Sequence, residues 1–224
     1  MRGIFVTGTD TGVGKSIVAG AVCAALAARG EHVAAFKPVV TGLGQSPDDW
    51  PDDQVLLARA AGGRQTPEDV APYRFEPAVS PHFAAELAGE TIEPARLLSA
   101  ARAHELVVCE GVGGLMVPIT TGYLVRDLAV DLALPVVIAA RTGLGTINHT
   151  LLTIEAARSA GLQVAGVVMT PWPEAPEPIE QSNRATVERL GGVPVTGLPP
   201  TDLGSLAAVG ERLPLDDWLS SSRG

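Results

Sequence analysis

The residues most able to do chemistry lie near the start of the chain: Gly8-Thr9-Asp10-Thr11-Gly12-Val13-Gly14-Lys15-Ser16. They follow a short apolar run, GIFVT over residues 3–7, and precede a run of small residues with helical character. That is the setting of a phosphate-binding loop, where successive backbone N–H groups and a helix N-terminus surround phosphate oxygens. Lys15 would bring a positive charge to the β- and γ-phosphates, and the Ser16 hydroxyl suits Mg²⁺. Gly12, Val13, Gly14, Lys15, Ser16 and Ile17 are therefore candidate nucleotide-binding residues. Five residues separate Gly8 from Gly14, one more than in the common form of the motif. The plain alternative is a glycine-rich turn without a ligand, which would leave the Lys-Ser pair unexplained.

A second candidate is Lys37-Pro38-Val39-Val40-Thr41-Gly42. Residues 32–37 read as a strand that Pro38 stops, so Lys37 is expected at its carboxyl edge, on the side of the phosphate loop. Most lysines in such places snorkel to solvent. Beside a phosphate loop, this one becomes a second cation at a reacting centre. Carboxylates for a metal come from the run Asp48, Asp49, Asp52, Asp53 and from Glu110. Acidic runs mostly solvate loops or cap helices. Asp53 opens a helical stretch and Glu110 ends the apolar run LVVCE, so these two are best placed to hold Mg²⁺ with Ser16. Asp49 stays open as an alternative to Asp53. Glu110 leads into Gly111-Val112-Gly113-Gly114, where glycines allow close backbone approach to a ligand. Gly143-Leu144-Gly145-Thr146-Ile147-Asn148 starts another helix, whose free N–H groups suit a carboxylate, or it is an ordinary helix start. His82, in Ser80-Pro81-His82, is assigned to site shape, and His149 to packing or capping.

The elements that must position these groups alternate along the chain. Strand-like stretches at 3–7, 32–37, 106–109, 134–140, 163–169 and 193–196 are apolar along their length. Helical stretches fall at 15–29, 52–61, 83–88, 94–103, 124–132, 146–159 and 178–190. The segment 64–82 is rich in proline and polar residues and reads as a long excursion. Apolar strands spaced by helices imply a mostly parallel sheet with helices on both faces. The expected architecture is one α/β domain over residues 1–224 with a P-loop NTPase-like fold, and its ligands beyond the carboxyl ends of the strands.

Composition narrows the partners. The 224 residues are 46% hydrophobic and 18% charged, ample for a core and unlike a disordered chain. Acidic residues outnumber basic ones 25 to 16, giving a net charge of −9. Such a chain is a poor general binder of nucleic acid or anionic membrane, so any phosphate must be captured locally. Cys23 and Cys109 sit in apolar runs and look like small buried hydrophobes, not a disulfide or zinc site. No apolar run reaches the roughly 18 residues of a membrane span, and the N-terminus enters a strand pattern without a signal-peptide layout. The expectation is a soluble cytoplasmic protein.

GTDTGVGKS, KPVVTG, SPH, EGVGG and LGTINHTLLT, in this order, resemble the dethiobiotin synthetase family of biotin biosynthesis. The resemblance spans roughly residues 3–200, and the longer phosphate loop is the family's own form. It implies a reaction of 7,8-diaminononanoate with CO₂ (supplied as CO₂ or bicarbonate) and ATP, through a carbamate and a carbamic-phosphoric anhydride, to dethiobiotin, ADP and phosphate. It implies Lys37, Lys15 and Thr11 as catalytic residues. Mg²⁺ would be held by Ser16, Asp53 and Glu110, with Gly111, Val112 and Gly113 beside the nucleotide. Thr41 would bind the substrate. Gly145, Thr146, Ile147 and Asn148, from the neighbouring subunit of a homodimer, would receive its tail carboxylate. Leu198, Pro199 and Pro200 look like the apolar side of a base pocket.

Two positions depart from the family pattern. Gly12 stands where several members carry a glutamate. After the strand QVAGVV, where the family commonly has an asparagine that reads adenine, this chain has Met169-Thr170-Pro171-Trp172. Base preference is therefore left open. Two other classes also remain: another P-loop enzyme, such as a cobyrinate amidase-like ligase or a small-molecule kinase, and a nucleotide-dependent partitioning switch. The first would need a glutamine-hydrolysing domain with a catalytic cysteine, or gives no reason for Lys37. The second usually carries an amphipathic membrane-binding tail, whereas the tail here is short and acidic.

Overall fold

A computed structural model describes residues 1–45 and 50–220; Asp48 and Asp49 of the acidic run lie outside the described residues. The first half comprises β1 (Arg2–Gly8), α1 (Lys15–Ala28), β2 (Val33–Phe36), β3 (Val39–Thr41), α2 (Asp53–Ala60), α3 (Pro67–Val70), β4 (Tyr73–Phe75), α4 (Pro81–Ala88) and α5 (Pro94–Arg102). Then come β5 (Leu106–Gly114), β6 (Pro118–Thr120), β7 (Tyr123–Leu124), α6 (Val125–Leu132), β8 (Val136–Ala140) and α7 (Thr146–Ser159). The chain continues through β9 (Val164–Met169), α8 (Pro178–Gly191), β10 (Val195–Gly197), α9 (Leu206–Gly210) and α10 (Leu215–Ser220).

Six strands form one sheet in the order β10-β9-β8-β1-β5-β2, every pair parallel. Alternate residues of each strand feed opposite faces. Ile4, Val6, Leu106, Val108, Val137 and Ala139 pack under α1 and the C-terminal helices. Phe5, Val107, Cys109, Val136 and Ile138 join the core on the other face. Both faces are covered, which is why the strands read as unbroken apolar runs rather than alternating ones.

The helix α1 lies deep in the molecule. Val18, Ala19, Ala21, Val22, Cys23 and Ala25 are all buried, and their small side chains let other helices come close. A Cβ placed on Gly210 in α9 would fall 2.1 Å from the Ala21 carbonyl oxygen, so only glycine fits that crossing. On α10, Leu215, Trp218 and Leu219 are buried in the same core. The acidic tail is thus a packed helix up to Ser220, short and weakly patterned enough to be missed from sequence. No helix among the described residues is long and apolar enough to cross a membrane.

The excursion expected at 64–82 is structured. Thr66 and Asp69 make a reciprocal capping box that starts α3, and β4 pairs in parallel with β3. Tyr73 and Phe75 are buried while Arg74 between them is exposed, a period-two pattern too short to stand out among prolines. The strand expected at 106–109 runs on to Gly114, because Gly114 pairs with Gly8 of the central strand after an irregularity in register. Pairing with a central neighbour there outweighs the poor strand propensity of glycine.

Candidate active site

Strand parity decides which side chains meet. On β5, Leu106 and Val108 face α1, so Glu110, two residues on, faces it as well. On β2, Val33 and Ala35 face α1, which directs Lys37 the same way. The two strands pair in register from Val33 opposite Leu106 to Phe36 opposite Cys109, so Lys37 arrives beside Glu110. The Pro38 stop holds as expected: β2 ends at Phe36 and the chain turns into β3 of a separate two-stranded sheet.

The phosphate loop joins β1 to α1 at the same end of the sheet. Gly14 is the N-cap residue, with φ +89°, in the left-handed region that favours glycine, and no side chain caps the helix. The first turn carries no acidic residue, so its N–H groups and positive dipole end are left for an anion. A Cβ on Gly14 would come within 2.5 Å of the Thr170 methyl, so this loop and the end of β9 fit tightly. Asp10 braces the loop: its carboxylate accepts from the Thr11 amide at 2.7 Å and from Arg141 at 3.2 Å, while Lys15 Nζ donates to its backbone carbonyl at 3.0 Å.

At the floor, Lys37 Nζ contacts Asp53 Oδ2 and donates to Glu110 Oε1 at 2.5 Å. Ser16 Oγ donates to the same Glu110 oxygen at 2.9 Å. Lys37 is only 4% exposed and Glu110 0%. Lys37 thus escapes the usual snorkelling of a strand-end lysine: its strand pairs beside Glu110, and burial with two carboxylates holds it at the floor. Burial alone would lower the lysine pKa, yet Glu110 and Asp53 outweigh it and hold the ammonium charged. Burial pushes the Glu110 carboxyl up, with Lys37 opposing. Burial also pushes Asp53 up, but the charge of Lys37 and hydrogen bonds from Lys37 and Ser16 win, leaving it below the usual range. Lys15 is lowered, chiefly by burial.

A cavity of about 710 Å³ opens over this floor. Thr11, Gly12, Gly14, Lys15, Ser16, Ile17, Lys37, Thr41, Asp53, Glu110, Val112 and Gly113 line it. Those predicted residues, scattered through the first half of the chain, are thus brought together. Val13 is not on the wall; its side chain is buried in the core. Gly111 is buried against Phe5 and Val125. Leu198 is fully buried among core residues, and its backbone pairs with Met169 and Trp172, so its side chain is no wall of this cavity. Pro199 and Pro200, and the turn Gly145, Thr146, Ile147 and Asn148, do not line it either. Asn183 holds the approach to that turn, donating to the Thr142 and Gly143 carbonyls. Cys23 and Cys109 are buried, and burial raises both thiol pKa values, which keeps them inert.

Sequence reasoning missed the apolar wall: Val39, Trp50, Pro51, Leu56, Val79 and Val117. An aromatic residue embedded in an acidic run, Asp49-Trp50-Pro51-Asp52, was the one available signal. Ser80 and Pro81 also line the cavity, and Ser80 Oγ lies 3.0 Å from His82 Nδ1, in keeping with a shaping role for that motif.

The floor fits a hard divalent cation. Ser16, Asp53 and Glu110 offer only oxygen donors, and Glu110 Oε2 is buried with no hydrogen-bond partner among the described residues. Among the described residues no three His, Cys, Asp or Glu side chains are grouped so that they could hold a metal ion by themselves. A hydroxyl and two carboxylates suit Mg²⁺, which takes few protein ligands and completes its shell with phosphates and water.

Comparison with known proteins agrees with this geometry. The family described as an AAA domain matches residues 2–203. The chain is 38% identical over 204 residues to the ATP-dependent dethiobiotin synthetase BioD of Bacillus subtilis (strain 168), covering 89% of this chain and 87% of that protein. It is 44% identical over 194 residues to the enzyme of the same name from Anaeromyxobacter dehalogenans (strain 2CP-1 / ATCC BAA-258), covering 85% and 86%. Among solved structures, the MinC:MinD cell division protein complex of Aquifex aeolicus matches with a TM-score of 0.53 at 13% identity, covering 99% of this chain and 94% of that one. A ParA family ATPase from Chlorobium tepidum TLS matches with a TM-score of 0.50 at 13% identity, covering 99% and 96%. At that identity the likeness concerns the fold alone, and it bears out the mostly parallel P-loop NTPase-like architecture. With the phosphate loop, the paired lysines and the two carboxylates around one cavity, and with close relatives over most of its length, this chain belongs to the ATP-dependent dethiobiotin synthetase family.

Proposed function

We propose that this chain joins CO₂ to 7,8-diaminononanoate at the expense of ATP and closes the ring to dethiobiotin. The observation that carries the reading is the convergence of two lysines, two carboxylates and a phosphate loop on one cavity at the strand ends. One amine of the substrate takes up CO₂ as a carbamate and releases a proton. A carbamate oxygen then attacks the γ-phosphorus and ADP leaves. The second amine attacks the carbonyl carbon of the mixed anhydride, phosphate leaves with that oxygen, and the amine proton is lost.

The chain's own part is electrostatic and positional. A carbamate and a triphosphate repel each other, and Lys15 and Lys37 lie where both anions must come together. The N–H groups of the phosphate loop hold the phosphates without a counter-charge of their own. Thr11 and Thr41 offer hydroxyls beside the reacting groups. The wall of Val39, Trp50, Val79 and Val117 suits the methylene chain of the substrate and keeps water from the anhydride. Mg²⁺ held by Ser16, Asp53 and Glu110 would supply neutralising charge at the phosphates. The turn 143–148, from the neighbouring subunit of a homodimer, would meet the substrate's tail carboxylate with the free N–H groups that open α7.

The test is phosphate release with and without the diamine and bicarbonate, followed by mass analysis of the product. Release that depends on both, with dethiobiotin formed, is the expected result. Equal release without the diamine would favour a partitioning-type ATPase, and phosphate retained on an acceptor would favour a kinase.

A further inference from the structure

Lys37 occupies a telling position among the groups assigned to the metal. Its Nζ contacts Asp53 Oδ2 and lies 2.5 Å from Glu110 Oε1. Ser16 Oγ donates to that same Glu110 oxygen. All three metal-assigned groups are therefore engaged within one hydrogen-bond cluster that already holds a cation. Lys15, the other lysine of the cavity, is turned to the Asp10 carbonyl instead. Glu110 has no solvent exposure, and a buried carboxylate is costly unless it is paired. Glu110 Oε2 has no hydrogen-bond partner among the described residues, but a divalent ion taking it while the ammonium keeps Oε1 would set two cations a few ångströms apart, where they repel strongly at low dielectric.

We propose that Lys37 is the resident counter-ion of the metal site, and that a divalent cation gains Asp53 and Glu110 only when Lys37 leaves them for an arriving anion. This rests on the assignment of Ser16, Asp53 and Glu110 to the metal. The anion is a phosphate or carbamate oxygen entering the same cavity, and such an oxygen is the natural new partner for the displaced ammonium. Metal entry and anion entry then assist each other, and by linkage each raises the affinity of the other. The protein without nucleotide holds metal weakly, and the buried carboxylates are never left without a cation.

The probe is Mn²⁺, with free and bound ion separated by electron paramagnetic resonance. Wild-type protein without nucleotide should bind Mn²⁺ weakly, and Lys37→Met should bind it at least about tenfold more tightly, a change of about 1.4 kcal/mol or more. Millimolar Mg²⁺ without nucleotide should raise the melting temperature of Lys37→Met and leave that of the wild type unmoved. The double variant Lys37→Met/Glu110→Gln should lose the gain. Lys37→Gln, which keeps a hydrogen-bond donor, serves if methionine does not fold at this buried site. Mn²⁺ binding by the Lys37 variants no tighter than by the wild type overturns the proposal. A parallel arm with a non-hydrolysable ATP analogue separates the two readings: Mn²⁺ ordered on the wild type there means that only the Lys37 assignment has failed, whereas none ordered means that the metal assignment has failed with it.

Discussion

Lys37 concentrates the chemistry of the site, and its surroundings set what its loss should do. Replacing it with alanine removes one of the two lysine cations that line the cavity and strands Glu110, which is 0% exposed, beside Asp53. Removing one partner of a buried pair costs about 3–5 kcal/mol. Lys37→Ala should therefore lose nearly all cyclisation and also melt well below the wild type; near-normal turnover would refute its catalytic role. The residue types and their order showed this much in the sequence, because Lys37 and Glu110 each end an apolar strand-like run, one at Pro38 and the other at Gly111. Burial of Lys37 was not legible, since it depends on β2 lying beside β5 across a long stretch of chain. Base recognition is a second matter at this scale. Thr170, at the end of β9, is buried and packed on Gly14, and Trp172 beyond it is half-buried with Arg184 stacked 5.5 Å from its ring centre. No side-chain amide stands in that segment, and a site without matched donors and acceptors discriminates weakly. GTP, CTP and UTP should support turnover within about tenfold of ATP, measured as kcat/KM at saturating diamine and bicarbonate. A preference for ATP beyond about a hundredfold would show that backbone groups read adenine well.

At the scale of elements, the junctions between strands and helices matter most. The β1–α1 turn works because Gly14 takes a left-handed conformation and leaves no room for a Cβ beside Thr170. Gly14→Ala should cost about 1–3 kcal/mol from the backbone alone and should weaken ATP binding, checked by thermal melting and by nucleotide titration. Unchanged affinity would mean that the loop tolerates a different path around the phosphates. The main strands and helices were legible because their apolar runs are bounded by glycine and proline: α7 was expected over 146–159 and spans those residues. What escaped were pieces that owe their form to distant partners. The strand β4 is held by β3, and α9 by the bare surface of α1, neither of which leaves a local mark on the sequence.

For the whole molecule, the sheet order β10-β9-β8-β1-β5-β2 sets β1, β5 and β2 side by side, so the phosphate loop, Glu110 and Lys37 open toward the same end. The helix α1 links that site to the C-terminal helices through its buried small residues, and α9 crosses it at Gly210. Gly210→Val should force those helices apart, at a cost of about 1–3 kcal/mol from overpacking, and lower the melting temperature. Turnover measured well below that temperature should be near normal, since Gly210 does not line the cavity; a matching loss of turnover would show that the packing also sets the loop. The central claim is that a carbamate oxygen attacks the γ-phosphorus, and isotope transfer tests it most directly. Freshly prepared ¹⁸O-labelled bicarbonate is mixed with enzyme, ATP and the diamine, and the released phosphate is analysed by mass before the label exchanges with water. The account predicts one ¹⁸O in each phosphate formed together with dethiobiotin; dethiobiotin accompanied by unlabelled phosphate would contradict it.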